Sequence, residues 1–161
     1  MTPETVEYYR AMLLVGIRDK FDAAFDDALE TEDPLTDLVL SLCTCISDNE
    51  QVLSLLREYT LNFRIDEQMV HDLILEDIRE RFLTGQMTRT DVVDILYRTV
   101  QNLDKFFDDL WWDCVDIYHV LELFEDRFIN EEVFNRCFDA WFLHGERRFY
   151  AWALQQEANN H

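Results

Sequence analysis

Three glycines and two prolines are all the backbone punctuation in 161 residues, and this scarcity constrains the fold more than any other feature. Sheets need frequent tight turns, and those turns draw on glycine's positive φ or proline's fixed one. A chain with so few of either suits long elements with few breaks. Its apolar residues recur at steps of three and four throughout, the period of a helix with one buried face. The chain therefore reads as all-α, a single-domain helical bundle of about six to eight helices over residues 1–161. That length is enough for one core burying about two-thirds of the unfolded surface.

Local signals place the helix starts. Thr2-Pro3-Glu4 opens the first helix with proline at its first position, and the pattern continues to Glu30. Tyr9, Leu13, Ile17, Ala24 and Ala28 form the inner stripe of that helix, and Asp19, Asp22, Asp26 and Glu30 form a solvated acidic face. Asp33-Pro34 is expected to cap a second helix running to Ile46, and Ser47 with Glu50 reads as the capping box of a third. Three further starts pair an apolar residue before the cap with another five positions on: Ile65-Asp66 with Val70, Met87-Thr88 with Val92, and Ile129-Asn130 with Phe134. Gly85 and Gly145 sit where left-handed caps would end helices near Thr84 and His144.

From Val93 the apolar positions follow a four-three alternation through Leu96, Val100, Leu103, Phe107, Leu110, Cys114, Ile117, Leu121, Phe124 and Phe128. Such a heptad seam predicts one long helix of about forty residues, straight or bent between Asn102 and Asp109, packed at a shallow angle on its neighbours. A closing helix is expected from Glu146 to Glu157 with Phe149, Trp152 and Ala153 inward.

Charge narrows the function. Fourteen basic residues face 34 acidic ones, a formal −20 and a pI near 4.3, which opposes nucleic-acid phosphates and anionic lipid surfaces. With 48% apolar and 14% aromatic residues, the chain is too hydrophobic for a disordered acidic tail, so the charge coats a folded body. No apolar run reaches the ~18 residues of a membrane span. Two lysines against twelve arginines suit fixed, bidentate internal ion pairs. The four cysteines, Cys43, Cys45, Cys114 and Cys137, lie among apolar neighbours with no leader ahead of them, as expected of buried free thiols in a reducing cytoplasm.

The strongest functional lead is the segment DKFFDDLWWDCVDIYHVLELFED, from Asp104 to Asp126. On a helical wheel Asp109, Asp113 and Asp116 share one flank of the seam, and Asp104, Asp108, Glu122 and Asp126 the other. Like charges at this spacing repel by a few tenths of a kcal/mol per pair, a cost that lysines would have removed. Trp111 and Trp112 are expected beside the two flanks, where tryptophan serves as an interface anchor. These nine residues, Asp104, Asp108, Asp109, Trp111, Trp112, Asp113, Asp116, Glu122 and Asp126, are the candidate partner-binding set.

Other chemistries are less complete. Asp108, Asp109 and Asp113 approach the acidic clusters with which all-α enzymes hold magnesium, and Glu122-x-x-Glu125 with Asp77-x-x-Glu80 could serve a pyrophosphohydrolase. Asp116-x-x-His119 has the spacing of a bundle di-metal site but occurs once. His71 and His144 read as structural. No nucleophile elbow, glycine-rich phosphate loop or zinc spacing is present, so no catalytic residue, metal or cofactor is assigned. Arg147-Arg148-Phe149-Tyr150-x-Trp152 is the one basic-aromatic cluster, best suited to pairing with acids of the same fold. A dimer through the Val93 to Phe128 seam is a further structural alternative.

The stretch Leu83-Thr84-Gly85-Gln86-Met87-Thr88-Arg89-Thr90-Asp91-Val92 resembles the helix-Gly-helix junctions of helical bacterial immunity proteins from polymorphic or contact-dependent toxin systems. The resemblance implies an inhibitor that neutralises a cognate toxin by direct binding, without catalytic residues. Together with the charge, it leads to an expected basic protein partner, the chain itself being monomer or homodimer, with a magnesium-dependent hydrolase as the competing reading.

Overall fold

The computed structural model describes residues 1–103 and 108–146, with positions 151, 155, 158 and 159 beyond them. Helix is the only regular structure among the described residues, in eight segments: α1 (Pro3–Leu14), α2 (Asp19–Thr31), α3 (Asp37–Cys43), α4 (Asn49–Thr60), α5 (Glu67–Leu83), α6 (Arg89–Asn102), α7 (Asp109–Glu125) and α8 (Glu131–Phe142). The chain divides into two compact units, Met1–Glu76 and Asp77–His161.

In the first unit, Thr2 caps α1 as expected, its hydroxyl accepting from the Thr5 amide at 3.2 Å. The helix then stops at Leu14 instead of continuing to Glu30. Gly16 is the reason: at φ +85° its N–H donates to the Leu13 carbonyl and that of Ile17 to Met12 at 2.9 Å, closing the helix in a Schellman motif. Of the expected inner stripe, Leu13 and Ala28 are buried while Tyr9, Ile17 and Ala24 lie at its margin. Phe21 and Phe25 carry the burial of α2. Arg18 links α2 to the chain before α4, pairing with Asp22 at 2.8 Å and donating to the Ile46 carbonyl at 2.6 Å.

The next two starts fall later than expected. Helix α3 begins at Asp37 with Thr36 as its cap, not at Asp33-Pro34, whose peptide is cis. Glu32 reaches forward to accept from both the amide and the hydroxyl of Thr36. Helix α4 is capped by Asp48 rather than Ser47, its carboxylate accepting from the Glu50 and Gln51 amides. Val6, Leu13, Phe21, Phe25, Val39, Leu42, Val52 and Leu56 form a continuous core where α1 and α3 pack on α4.

The second unit departs from expectation in one respect that matters for function. The Val93 to Phe128 seam is not one helix. Helix α6 ends at Asn102, with Leu103 extended (ψ 140°), and α7 starts anew after Asp108, whose carboxylate accepts from the Trp111 amide at 2.7 Å. The two helices pack on each other, so both halves of the seam are buried in the chain's own core: Val93, Leu96, Val100, Leu103, Leu110, Cys114, Ile117 and Leu121 are all buried. Packing α6 on α7 keeps both halves of the seam out of water, whereas a straight helix would leave a long apolar stripe exposed. The same residues are thereby withdrawn from any dimer contact. Phe128 is exposed because α7 ends at Glu125 and the chain turns at Arg127. Phe107 lies outside the described residues, as do Phe149, Trp152 and Ala153 of the expected closing helix and the Arg147, Arg148 and Tyr150 of the basic-aromatic cluster.

The cap readings at Asp66, Thr88 and Asn130 hold. Asp66 accepts from Met69 N, Thr88 and Asp91 form a reciprocal capping box, and Asn130 accepts from Val133 N. Gly85 and Gly145 adopt positive φ. Helix α8 packs with Phe134, Cys137, Phe138, Trp141 and Phe142 inward, Phe138 being fully buried and in ring contact with Phe82, Phe134 and Phe142.

Candidate protein-binding surface

Helix α7 buries one side only. Leu110, Cys114, Ile117, Val120 and Leu121 face inward, which by helical spacing turns Trp112, Asp116, His119, Glu122 and Asp126 to the opposite face. Trp112 is 48% exposed, a large hydrophobic side chain left in water beside carboxylates. His119 Nδ1 lies 2.9 Å from Glu122 Oε2 along this face. Asp116 is partly buried, and that burial raises its carboxyl pKa above the usual aspartate range, with the nearby His119 acting in the opposite direction.

The expected pair of tryptophan anchors reduces to one. The rings of Trp111 and Trp112 meet edge to face, with centroids 4.8 Å apart, and Trp111 is partly buried while Trp112 stands out. Of the expected acidic flanks, Asp109 is exposed at the first turn, Asp113 is partly buried beside Cys114, and Glu122 and Asp126 are exposed. Asp108 works as the helix cap, so its carboxylate is committed to backbone and dipole. Asp104 lies outside the described residues.

A feature that the sequence reading missed adjoins this face. Tyr97 of α6 and Tyr118 of α7 stack at 3.9 Å with ring planes 13° apart. Burial, then Glu122, Tyr97, Asp94 and Glu125, push the Tyr118 hydroxyl pKa up. The signal was available: each tyrosine directly follows an inner seam residue, Leu96 or Ile117, and such positions flank the seam where two helices pack.

The arginines are spent inside the fold, as their planar donors suggest. Arg10 grips Glu7 through two bonds of 2.9 and 2.6 Å, Arg89 grips Asp139 at 2.9 and 3.1 Å, and Arg81 holds the buried Asp77 at 3.0 Å. Arg98 pairs with Asp94 and Arg136 with Glu132. Each pair removes one charge of either sign, so the surplus of acids stays on the surface.

Asp77 is bound to Arg81 in the core, away from the role that a paired-acid motif would need. Among the described residues no three His, Cys, Asp or Glu side chains converge to hold a metal ion. Burial, with Asp113 and Asp108 adding to it, pushes the Cys114 thiol far up, and burial takes Cys137 to about 12, so neither offers a thiolate. Cys43, expected to be buried, is exposed, because its neighbour Leu42 takes the inward position of α3. No described helix is long and apolar enough to cross a membrane. No protein-family model, curated protein or solved structure matches the chain.

Proposed function

We propose that this chain is an acidic protein-binding domain that neutralises a cationic partner protein by direct contact, in the manner of an immunity protein or antitoxin. The observation that carries this reading is the outward face of α7, where a half-exposed Trp112 stands one turn from Asp116 and shares its face with Glu122 and Asp126 further along the helix. Tryptophan at the centre of an interface supplies a large contact area, and the surrounding carboxylates steer a basic surface onto it. With most arginines used internally, the formal −20 acts outward. Carboxylates arrayed on a rigid helix can take the place of phosphates in the groove of a cationic nuclease or toxin.

The test is recovery of the partner from its native cell, followed by affinity measurement with purified proteins. Trp112→Ala is expected to weaken binding about tenfold or more, the loss typical of a central anchor, with little effect on folding because the side chain is half-exposed. An acidic partner, or a basic one indifferent to Trp112, would overturn the reading.

A further inference from the structure

A second surface lies in the first unit, and its chemistry differs from that of α7. Helix α3 is seven residues long and seats Val39 and Leu42 in the core, so Leu40 is turned outward and is 50% exposed. Between α3 and α4 runs an open groove of about 570 Å³ lined by Leu40, Ser41, Thr44, Gln51, Ser54 and Leu55, with Cys45 at its base. That volume lies within the range of about 300–1,000 Å³ typical of binding clefts. A single exposed leucine is ordinary; here Leu40 is joined by the half-buried Leu55 and by small side chains that leave room beside both.

By helical spacing, carboxylates border these lining residues. Asp37 precedes Leu40 and Ser41 on the same face of α3, and its carbonyl accepts from the Ser41 hydroxyl. On α4, Asp48 accepts from the Gln51 side chain at 2.8 Å, and Glu58 follows Ser54 and Leu55 by one turn. All three acids are exposed, and no basic residue lines the groove. Arg57, the one basic residue of α4, falls on the flank shared with Glu50, away from this wall. The whole unit carries seventeen acidic against five basic residues over 1–76, a formal −12.

We infer that the α3–α4 groove is a docking site for a basic amphipathic segment of a protein partner, its apolar side chain seated against Leu40 and Leu55 and its arginines or lysines met by Asp37 and Glu58, while Asp48 stays committed to capping α4. The apolar floor supplies the contact area, and the bordering carboxylates select cationic segments and reject acidic ones. This site is independent of the α7 reading and stands or falls without it.

The test is an amide-resolved NMR titration of the full chain with three synthetic peptides: one alternating leucine and arginine on a helical pattern, a twin with glutamate replacing arginine, and a twin with serine replacing leucine. The leucine–arginine peptide is expected to shift the amides of Leu40, Ser41, Thr44, Ser54 and Leu55, with neither twin doing so. Leu40→Ser is expected to weaken that binding about tenfold. Should that variant fail to fold, Ser54→Arg, at an exposed position in the mouth, is expected to do the same by repulsion. Trp112→Ala should leave it unchanged. Shifts confined to α7, equal binding of either twin, or indifference to Leu40→Ser and Ser54→Arg would each overturn the inference, whereas loss of native-partner binding on Trp112→Ala alone bears only on α7.

Discussion

Arg127 occupies a position that usually belongs to glycine, and replacing it gives a measurable return. It follows the C-cap of α7 at φ +65°. Its N–H donates to the Phe124 carbonyl at 3.0 Å, and that of Phe128 to Leu123 at 2.9 Å, the same two-bond closure that Gly85 makes at the end of α5. Holding a residue with a Cβ in this conformation costs about 1 kcal/mol. Arg127→Gly removes that cost but also removes a cation from a helix C-terminus, worth about 0.3–1 kcal/mol. Arg127→Ala loses the same cation and keeps the strain. The glycine variant is therefore expected to be more stable than the alanine variant by about 1 kcal/mol, which for a chain of this size is a difference of about 2–4 °C in Tm. Gly85→Ala runs the comparison in reverse: a Cβ there would meet nothing within 4 Å, so the loss of about 1 kcal/mol comes from the backbone alone. Both positions lie in the second unit and report the same transition, by circular dichroism in heat and in urea. Equal stability of the two Arg127 variants would refute the left-handed assignment at the end of α7.

Phe138→Ala, which empties a fully buried site among Phe82, Phe134 and Phe142, is expected to cost about 3–5 kcal/mol in chemical denaturation. Asp116 carries a raised pKa, so its ionised form opposes folding at neutral pH and the penalty fades as pH falls through the folded pKa. Asp116→Asn should then raise Tm at neutral pH and lose this advantage in acid, as read by melts across the pH range. Among the four thiols, only Cys43 is expected to react promptly with a thiol reagent in the native protein, because the other three are buried with raised pKa values; mass spectrometry of the labelled chain checks it.

What the sequence made legible was mostly local chemistry. The caps at Asp66, Thr88 and Asn130 were visible because each cap and its partner lie within a single turn. The described heptad positions from Val93 to Leu121 were visible as buried residues for the same reason, since burial follows spacing. The breaks were harder. Leu13 and Ile17 keep a helical interval across Gly16, and Leu103 and Leu110 stay in heptad register across the α6–α7 junction, so apolar periodicity continues while the chain turns. A capping aspartate at Asp108 carried the true signal and was masked by that periodicity. The face of α7 was legible as a set of acids, but its single exposed anchor was not. Whether Trp111 or Trp112 stands in solvent depends on what packs beside α7, and the Tyr97–Tyr118 stack depends on the pairing of two helices. The α3–α4 groove is likewise a product of packing, since nothing in the local pattern separates Leu40 from the buried Val39 and Leu42.

The central claim, that the acidic face of α7 meets a basic protein, is tested most directly by charge reversal. Asp116, Glu122 and Asp126 replaced together by lysine, in a chain shown by circular dichroism to remain folded, should weaken binding to the partner recovered from the native cell by about tenfold or more. Its association rate should also fall and lose most of its salt dependence. An affinity and association rate equal to those of the native chain would contradict the account.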